Sequence, residues 1–329
     1  MTDRPDRNLA MELVRTTEYA ALASARWIGR GDKEGADGAA VDAMRLLLDT
    51  VSMDGVVVIG EGEKDEAPML YNGEHIGDGS EPEVDIAVDP LEGTELCAKG
   101  LPNAIATIAL SERGTMFDPG PCVYMLKMAT SRSLAGVLDM DRPIGETLQL
   151  MAKEKDVPVG DLVVIMLDRD RHEDYMREIR DVGARIRLIP HGDVSAALAA
   201  VTEDEPVDLL FGIGGTPEGV LAAAAIQCTG GQILGKLWPR SQEERNAAVE
   251  AGYDLDEVLD KDRLVSGKDV FFAATGVTDG ELLEGVNFSG PLGATTESIS
   301  MRSRSGTVRR IVARHDRAKL REITGERLG

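Results

Sequence analysis

The chain has 329 residues, which is long enough to bury a sizeable core in one large domain or two lobes. Its 58 acidic residues against 36 basic ones give a formal net charge of −22, which argues against nucleic acid or an anionic membrane as a partner. The sequence has neither a signal peptide nor an apolar run long enough to cross a bilayer, and its three cysteines lack a metal-site spacing. We therefore expect a soluble protein of the reducing cytoplasm.

The first half of the chain begins with two predicted helices. A helical pattern runs from Leu9 to Ile28, a loop follows at residues 31–38, and a second stripe at helical spacing starts at Val41. Asp37 lies where this second helix needs an N-cap, which is the simplest role for that residue on its own. Short strands are predicted at Val56–Ile59, just before Gly60 and Glu61, at Val84–Val88, at Ala104–Leu110, and at Pro121–Met128, which carries Tyr124 and Lys127.

The stretch that follows the Val84–Val88 strand carries the strongest chemical signal. Pro90 lacks a backbone donor and is expected to end the strand. Asp89, Glu92 and the hydroxyl of Thr94 then lie within six residues. Crowded carboxylates raise each other's pKa unless a cation is present, and Mg²⁺ prefers all-oxygen ligands. The stretch therefore predicts half of a metal site for phosphate chemistry; taken in isolation, the same residues are equally typical of a turn and a helix cap.

Beyond residue 160, short apolar strands alternate with helical stretches, which is typical of βαβ units and a mainly parallel sheet. The predicted strands are Leu162–Leu167, Arg185–Ile189, Val207–Phe211 and Val270–Ala274. The predicted helices cover residues 172–182, 194–201, 217–228 and 242–251. The tail predicts a β-hairpin of Thr295–Arg302 and Thr307–Ala313. We predict an α/β fold with an N-terminal lobe at residues 1–150 and a C-terminal lobe at residues 151–329.

Three turns of the second half carry polar groups at the ends of strands, where open α/β sheets bind ligands. Arg169 and Arg171, on either side of Asp170, are suited to gripping a phosphate, or else pair with their own neighbouring acids. The second turn is His191-Gly192-Asp193, and the third is the glycine-rich run 212–219. In the third turn, Thr216 is a good N-cap, and Glu218 in the first helical turn has a structural explanation of its own.

Other classes of site find less support. The sequence lacks a Gly-x-Ser-x-Gly elbow, and the four histidines have no spacing that predicts a triad or a zinc site. His172 and His315 lie among charged residues and are expected to be exposed. The glycine-rich run lacks the Lys-Ser/Thr ending of a nucleotide-binding P-loop.

Taken together, these motifs resemble the class II fructose-1,6-bisphosphatases, within the metal-dependent, lithium-sensitive sugar and inositol phosphatases. The resemblance rests on Gly60-Glu61, on the hallmark Asp89-Pro90-Leu91-Glu92-Gly93-Thr94, and on class II features at residues 31–41, 212–219, 271–280 and 295–306. It implies a layered αβαβα fold, in which the first lobe supplies most metal ligands and the second lobe most substrate contacts. It also implies hydrolysis of fructose 1,6-bisphosphate to fructose 6-phosphate in gluconeogenesis, by a homo-oligomer that holds two or more Mg²⁺ or Mn²⁺ ions.

The resemblance assigns roles to individual residues. Thr94 takes the catalytic hydroxyl and works with Asp37 to orient and deprotonate the attacking water. The implied metal ligands are Asp37, Glu61, Asp89, Glu92 and Glu218. The implied substrate contacts are Glu92, Gly93, Thr94, Tyr124, Arg169, Asp170, Arg171, His191, Gly192, Asp193 and Gly215.

Three positions depart from the family pattern. His191 replaces an aspartate, Asp170 replaces a proline between the two basic residues, and Glu95 follows the hallmark where an uncharged or basic residue is usual. The departures at His191 and Asp170 leave open sedoheptulose 1,7-bisphosphate or an inositol phosphate as the substrate. A non-catalytic sensor of metal and sugar phosphate is a further alternative, against which the retained Thr94 argues.

Overall fold

The computed structural model describes residues 8–62, 69–203, 205–289 and 293–324. The helices are α1 (Ala10–Ser24), α2 (Lys33–Leu48), α3 (Thr94–Lys99), α4 (Ile144–Lys155), α5 (Glu173–Asp181), α6 (Asp193–Val201), α7 (Thr216–Thr229), α8 (Gln242–Glu250), α9 (Lys261–Leu264) and α10 (Arg317–Thr324). The strands are β1 (Asp54–Ile59), β2 (His75–Ile76), β3 (Glu83–Glu92), β4 (Ile105–Glu112), β5 (Tyr124–Thr130), β6 (Val163–Leu167), β7 (Arg185–Ile189), β8 (Leu209–Gly215), β9 (Gln232–Leu237), β10 (Leu259–Asp260), β11 (Phe271–Gly276), β12 (Gly293–Arg302) and β13 (Thr307–Asp316).

The strands form two sheets. The first has the order β13-β12-β11-β4-β3-β1-β2, and the second has the order β10-β9-β5-β8-β6-β7. Each sheet takes strands from both sides of residue 150, because β5 belongs to the second sheet and β11, β12 and β13 belong to the first. The predicted division of the chain into two lobes at residue 150 stays a prediction.

The sheets and helices form five layers, which pack against one another through three hydrophobic clusters. Helices α1 and α2 pack on the outer face of the first sheet through residues such as Ile86 and Ile108. Helices α6 and α7 fill the space between the two sheets, where small residues such as Ala87 on β3 allow close approach. Helices α4 and α5 cover the far face of the second sheet through residues such as Val164 and Phe211. The layered αβαβα architecture is confirmed.

Helix α7 lies at the centre of this stack. Ten of its 14 residues are buried, and the run from Val220 to Ile226 is apolar on every side. A helix that is apolar all round must be enclosed by protein, and its alanines keep the enclosing sheets near. The helix predicted over residues 217–228 is confirmed.

Most predicted strands and helices of the second half are observed, but the sheet is not mainly parallel. Strand β6 runs parallel to β7 and β8, whereas β5 is antiparallel to both β8 and β9, and β9 is antiparallel to β10. The prediction was wrong because it missed β9 and took β5 as an unrelated strand of the first half. Helix α4 was also missed, in a run that seemed merely polar.

Two predictions about the first half need correction. Asp37 is not the N-cap of α2, because the helix starts earlier and Asp32 accepts a hydrogen bond from the Gly35 N–H at 2.8 Å. Pro90 does not end β3, which continues to Glu92 through a shift in its pairing with β4 after Asp89. A bulge of this kind accommodates a proline that cannot donate to the ladder.

Two histidines expected to be exposed are enclosed. The His172 side chain is fully buried, with Nδ1 2.7 Å from the Leu167 carbonyl and Nε2 accepting from the Ile213 N–H at 2.8 Å. His315 lies beside Thr296 and Glu18 with its side chain 9% exposed. Neighbouring charges in the sequence misled the prediction, because the imidazoles turn inward toward polar groups of other elements. Across the described ranges, none of the helices combines the length and apolar character needed to cross a bilayer.

Candidate active site

A cavity of about 480 Å³ opens where the two sheets and the central helices meet. It receives α2, the end of β1, the bulge of β3, and the turns after β6, β7 and β8. The sequence-predicted site residues that line it are Asp37, Glu61, Asp89, Glu92, Gly93, Thr94, Tyr124, Arg169, Arg171, His191, Gly192, Asp193, Gly215 and Glu218. Asp170 does not line this cavity, and its side chain is exposed.

Four elements bring carboxylates to one side of the cavity. Asp37 projects from the first turns of α2 rather than capping the helix, and burial raises its pKa. Burial, and then the charge of Asp37, raises the pKa of Glu61 to about 7. Burial also holds the pKa of Asp89 well above its usual range, reinforced by Glu92, Glu61, Glu218 and Asp37 in that order. Mutual repulsion of this kind marks a place where positive charge would be strongly bound.

Glu92 has a second attachment that the sequence did not predict. Its carboxylate oxygens accept from the backbone N–H groups of Val194 at 2.5 Å and Ser195 at 3.1 Å, at the positive end of α6. Burial nevertheless raises the pKa of Glu92, with contributions from Asp193 and Glu218. Each carboxylate oxygen has two lone pairs, so these bonds leave acceptor capacity for a cation.

Glu218 reaches the cavity from the first turn of α7, and two glycines make room for it. A Cβ on Gly215 would lie 1.7 Å from Glu218 Oε2, and a Cβ on Gly214 would lie 1.8 Å from Asp193 Oδ2. Only glycine allows both carboxylates to approach the backbone this closely. Thr216 is the first residue of α7 rather than its cap, and its hydroxyl donates to the Cys122 carbonyl at 3.0 Å.

The donor set of the acidic side suits a hard divalent cation. Its side chains offer only oxygen, as Mg²⁺ and Mn²⁺ prefer. Within the described ranges, no three Asp, Glu, His or Cys side chains are already drawn together in a single coordination shell. Repulsion among Asp37, Glu61 and Asp89 opposes such closeness, and Glu92 is turned toward α6. The chemistry of the side chains therefore fits divalent ions, whose binding would draw the carboxylates inward.

Thr94 lines the same cavity as the acids. It is the first residue of α3, and the preceding Gly93 has φ +82°, a backbone conformation that favours glycine. Gly93 connects the end of β3 to the start of α3, so that Glu92 and Thr94 line the same cavity. The Thr94 hydroxyl can both accept and donate a hydrogen bond.

A second group of lining residues, here called the cationic side, consists of Arg169, Arg171 and Tyr124. The Arg171 guanidinium donates to the Ile213 carbonyl at 2.8 Å and lies 5.0 Å from the centre of the Tyr124 ring. Arg169 donates to the carbonyls of Asp168 and Pro190, each at 2.7 Å. These backbone contacts hold both planar groups at the cavity, where the forked donors match phosphate oxygens.

Two of the three departures from the family pattern contact each other. His191 Nε2 lies 3.2 Å from Glu95 Oε2, and Glu95 also pairs with Lys99 and, at 3.9 Å, with Lys33. Lys99 above all, and then His191 and Lys33, lowers the pKa of Glu95. Burial, followed by Arg169, lowers the pKa of His191. Glu95 therefore lies between Lys33, Lys99 and His191 at the rim of the cavity, where it contacts the His191 ring.

One buried residue beside the cavity was given no role by the sequence analysis. Lys127 on β5 is 1% exposed and lies between Asp193 and the Gly215 carbonyl. A signal was present, because a single lysine among the methionines and leucine of a strand is almost never buried without a partner. The sequence could not name that partner, which lies 66 residues further along the chain.

The family model for bacterial fructose-1,6-bisphosphatase, glpX-encoded, matches residues 7–315. The chain is 44% identical to the D-fructose 1,6-bisphosphatase class 2/sedoheptulose 1,7-bisphosphatase of Synechococcus sp. (strain JA-3-3Ab), over 92% of this chain and 94% of that protein. It is 42% identical to fructose-1,6-bisphosphatase 1 class 2 of Escherichia coli (strain K12), over 94% and 95% of the two chains. The resemblance seen in the motifs is confirmed: the chain belongs to the family of glpX-encoded bacterial fructose-1,6-bisphosphatases.

Proposed function

We propose that this protein hydrolyses the C1 phosphate of fructose 1,6-bisphosphate, giving fructose 6-phosphate and phosphate, as a step of gluconeogenesis. The observation that carries the proposal is the shared cavity: five carboxylates, Thr94 and two arginines all line it. Such an arrangement suits a substrate with a reacting phosphate at one end and a second phosphate to be held at the other. Family membership supports the same reaction.

In this mechanism the acids Asp37, Glu61, Asp89, Glu92 and Glu218 would hold two or more Mg²⁺ or Mn²⁺ ions. Those ions would neutralise the phosphate, lower the pKa of water and stabilise the leaving oxygen. The Thr94 hydroxyl orients the attacking water and passes its proton toward the Asp37 carboxylate.

The cationic side of the cavity binds the remainder of the substrate. Arg169 and Arg171 hold the far phosphate. The Arg171 guanidinium packs over the Tyr124 ring. His191, Gly192 and Asp193, at the start of α6, would contact the sugar together with Gly215, which lines the same cavity. Asp170 is left out of this proposal, because its exposed side chain does not line the cavity.

Sedoheptulose 1,7-bisphosphate is the second candidate substrate, because the Synechococcus relative is named for both bisphosphates. One further carbon in the sugar would have to fit between the reacting and the distant phosphate. Inositol monophosphates rank lower, since they lack a second phosphate for Arg169 and Arg171 to hold.

A phosphate-release assay over fructose 1,6-bisphosphate, sedoheptulose 1,7-bisphosphate and inositol 1-phosphate tests the proposal. It is run with Mg²⁺, with Mn²⁺ and with excess chelator. We expect metal-dependent release from fructose 1,6-bisphosphate, with inositol 1-phosphate the poorest substrate. Binding of fructose 6-phosphate by calorimetry without any metal-dependent release would instead indicate a sensor.

Cytoplasmic location and homo-oligomerisation stay predictions. The three cysteines, Cys97, Cys122 and Cys228, are buried free thiols, as suits a reducing compartment. The oligomeric state is measured directly by light scattering after size-exclusion chromatography, for which we predict more than one chain per particle.

A further inference from the structure

Lys127 is the largest side chain that is fully enclosed among the described residues. Its Nζ lies 2.6 Å from Asp193 Oδ2 and donates to the Gly215 carbonyl at 2.8 Å. Asp193 belongs to the start of α6 and Gly215 to the end of β8, so one ammonium group joins two walls of the cavity. Lys127 itself does not line the cavity.

Gly214 leaves the space that the Lys127–Asp193 pair occupies. A Cβ on Gly214 would lie 1.8 Å from Asp193 Oδ2 and 3.0 Å from Lys127 Nζ. Any larger residue at position 214 would displace the carboxylate from the ammonium. The chain therefore keeps a side-chain-free position where the buried pair forms.

Asp193 stands among acids that are proposed to hold metal. Its charge raises the pKa of both Glu92 and Glu218, whereas the charge of Lys127 lowers the pKa of Glu218. Without a cation of its own, Asp193 would be one more carboxylate drawn toward the metal ions. With Lys127 on Oδ2, its charge is balanced and its other oxygen, Oδ1, is left for a different partner.

We propose that Lys127 is a positioning residue for substrate selection, which holds Asp193 apart from the metal ligands so that its carboxylate binds a sugar hydroxyl. The inference rests on the proposed function, since it takes the cavity to bind a sugar phosphate. The ligand feature that Lys127 serves is the hydroxylated sugar, not the reacting phosphate. Loss of Lys127 should therefore harm sugar recognition more than phosphate hydrolysis.

The test compares Lys127→Met with Asp193→Asn and the double variant, using binding of fructose 6-phosphate by calorimetry in the presence of Mg²⁺. Loss of a charge-assisted hydrogen bond weakens binding by about tenfold to a hundredfold, which we expect for each single variant. Because Lys127 acts through Asp193, the double variant should bind about as weakly as Asp193→Asn alone. A double variant weaker by a further factor of about ten would overturn the proposal.

Hydrolysis adds a readout that a purely structural role would not separate. The ratio of kcat/KM for fructose 1,6-bisphosphate to that for p-nitrophenyl phosphate, which has no sugar hydroxyls, should fall about tenfold or more in Lys127→Met. An equal loss on both substrates would mean that Lys127 only supports the fold or the metals. Lys236→Met is the matched control. Lys236 lies on β9, the strand next to β5, pairs with Asp141 at 2.6 Å and does not line the cavity.

Two outcomes remain distinguishable from failure of the proposed function. If Lys127→Met leaves Asp193 unpaired and does not fold, the double variant, which buries neither charge, carries the comparison with Asp193→Asn. If the wild-type protein hydrolyses neither substrate, the proposed function is wrong. Weaker binding of fructose 6-phosphate by Lys127→Met than by the wild type would still support the role of Lys127. Equal affinities would contradict it.

Discussion

On the acidic side of the cavity, burial and then the charges of neighbouring acids raise the pKa of Glu61 and Asp89, whereas on the cationic side Arg169 and Arg171 donate to backbone carbonyls. The cationic side is therefore already stabilised by the protein's own contacts. The acidic side is destabilised by its own charge and gains stability when positive charge binds. Under the proposed function, the arginines would position a ligand, while bound divalent ions would relieve the unfavourable electrostatic energy of the crowded acids.

The acidic side should be the more sensitive to a single change. We expect Asp89→Asn to lower kcat/KM for fructose 1,6-bisphosphate by about 10⁴, equivalent to about 5 kcal/mol, because Asp89 is surrounded by the other proposed ligands. Steady-state assays with Mg²⁺ or Mn²⁺ measure this. Asp85→Asn is the control on the same strand, since Asp85 accepts from the Thr115 and Met116 N–H groups rather than facing the cavity. An equal loss in both variants would argue against a special role for Asp89.

The next largest effect should come from the hydroxyl between the two sides. Thr94→Ala removes the group that orients water, so kcat should fall by about 10³ while KM changes little. Thr94→Ser keeps the hydroxyl and should retain most of the activity. Wild-type turnover by Thr94→Ala would show that the mechanism is wrong.

Stability should depend on pH through the acidic side. Because the pKa of Glu61 is raised to about 7, the folded protein binds more protons than the unfolded chain between the usual carboxyl value and pH 7. This contribution, on the order of 3 kcal/mol, is complete below about pH 4.5 and is lost as the pH rises through about 7. In thermal unfolding with chelator, we expect the midpoint to fall between about pH 6 and pH 8, and Mn²⁺ to raise it more at the higher pH.

A second buried acid supplies the control for that experiment. Burial raises the pKa of Glu18 to about 7 as well, but Thr296 donates to it and it lies outside the cavity. Glu18→Gln should therefore reduce the pH dependence while leaving the response to Mn²⁺ unchanged. A loss of the Mn²⁺ response in Glu18→Gln would contradict the assignment of ion binding to the cavity acids.

The cationic side should tolerate substitution better. Arg171→Met removes one phosphate-binding group, so KM for fructose 1,6-bisphosphate should rise by about thirtyfold, with a smaller change in kcat. Arg240→Met is the matched control, because Arg240 also lies near the Tyr124 ring, at 5.3 Å, but pairs with Glu244 and does not line the cavity. A similar rise in both variants would point to the ring rather than to phosphate binding.

The smallest effect is expected at the rim. Glu95→Gln weakens the contact that fixes His191, and exposed ion pairs contribute little, so KM should change by only about twofold to fivefold. Comparison of fructose 1,6-bisphosphate with sedoheptulose 1,7-bisphosphate measures whether the rim selects sugar length. A larger loss than that of Arg171→Met would reverse the ranking of the two walls.

The sequence predicted the acids better than their supports. The hallmark at Asp89 and the glycine-rich turn before Glu218 are local patterns, so their chemistry could be read from neighbouring residues. The roles of Lys127 and His172 depend on partners far along the chain, and periodicity carries no information about such pairs. For the same reason the sheet was expected to be mainly parallel, since strand direction follows from which strands pair.

Errors at element ends have equally physical causes. Asp37 looked like a helix cap because the apolar stripe starts at Val41, yet Asp32 caps a first turn that has no apolar residues of its own apart from Ala36. Pro90 looked like a strand end, yet a bulge carries β3 past it and delivers Glu92 to α6. The first boundary is set by a local cap that lies before the apolar stripe, whereas the second accompanies the contact between Glu92 and α6.

The central claim is that the acidic side binds divalent ions for catalysis, and titration of Mn²⁺ into chelator-treated, dialysed protein tests it most directly. Calorimetry should show at least about two ions per chain for the wild type, fewer or weaker ones for Asp89→Asn, and unchanged binding for Asp85→Asn. Wild-type protein that binds no Mn²⁺, or Asp89→Asn that binds it as the wild type does, would contradict the claim.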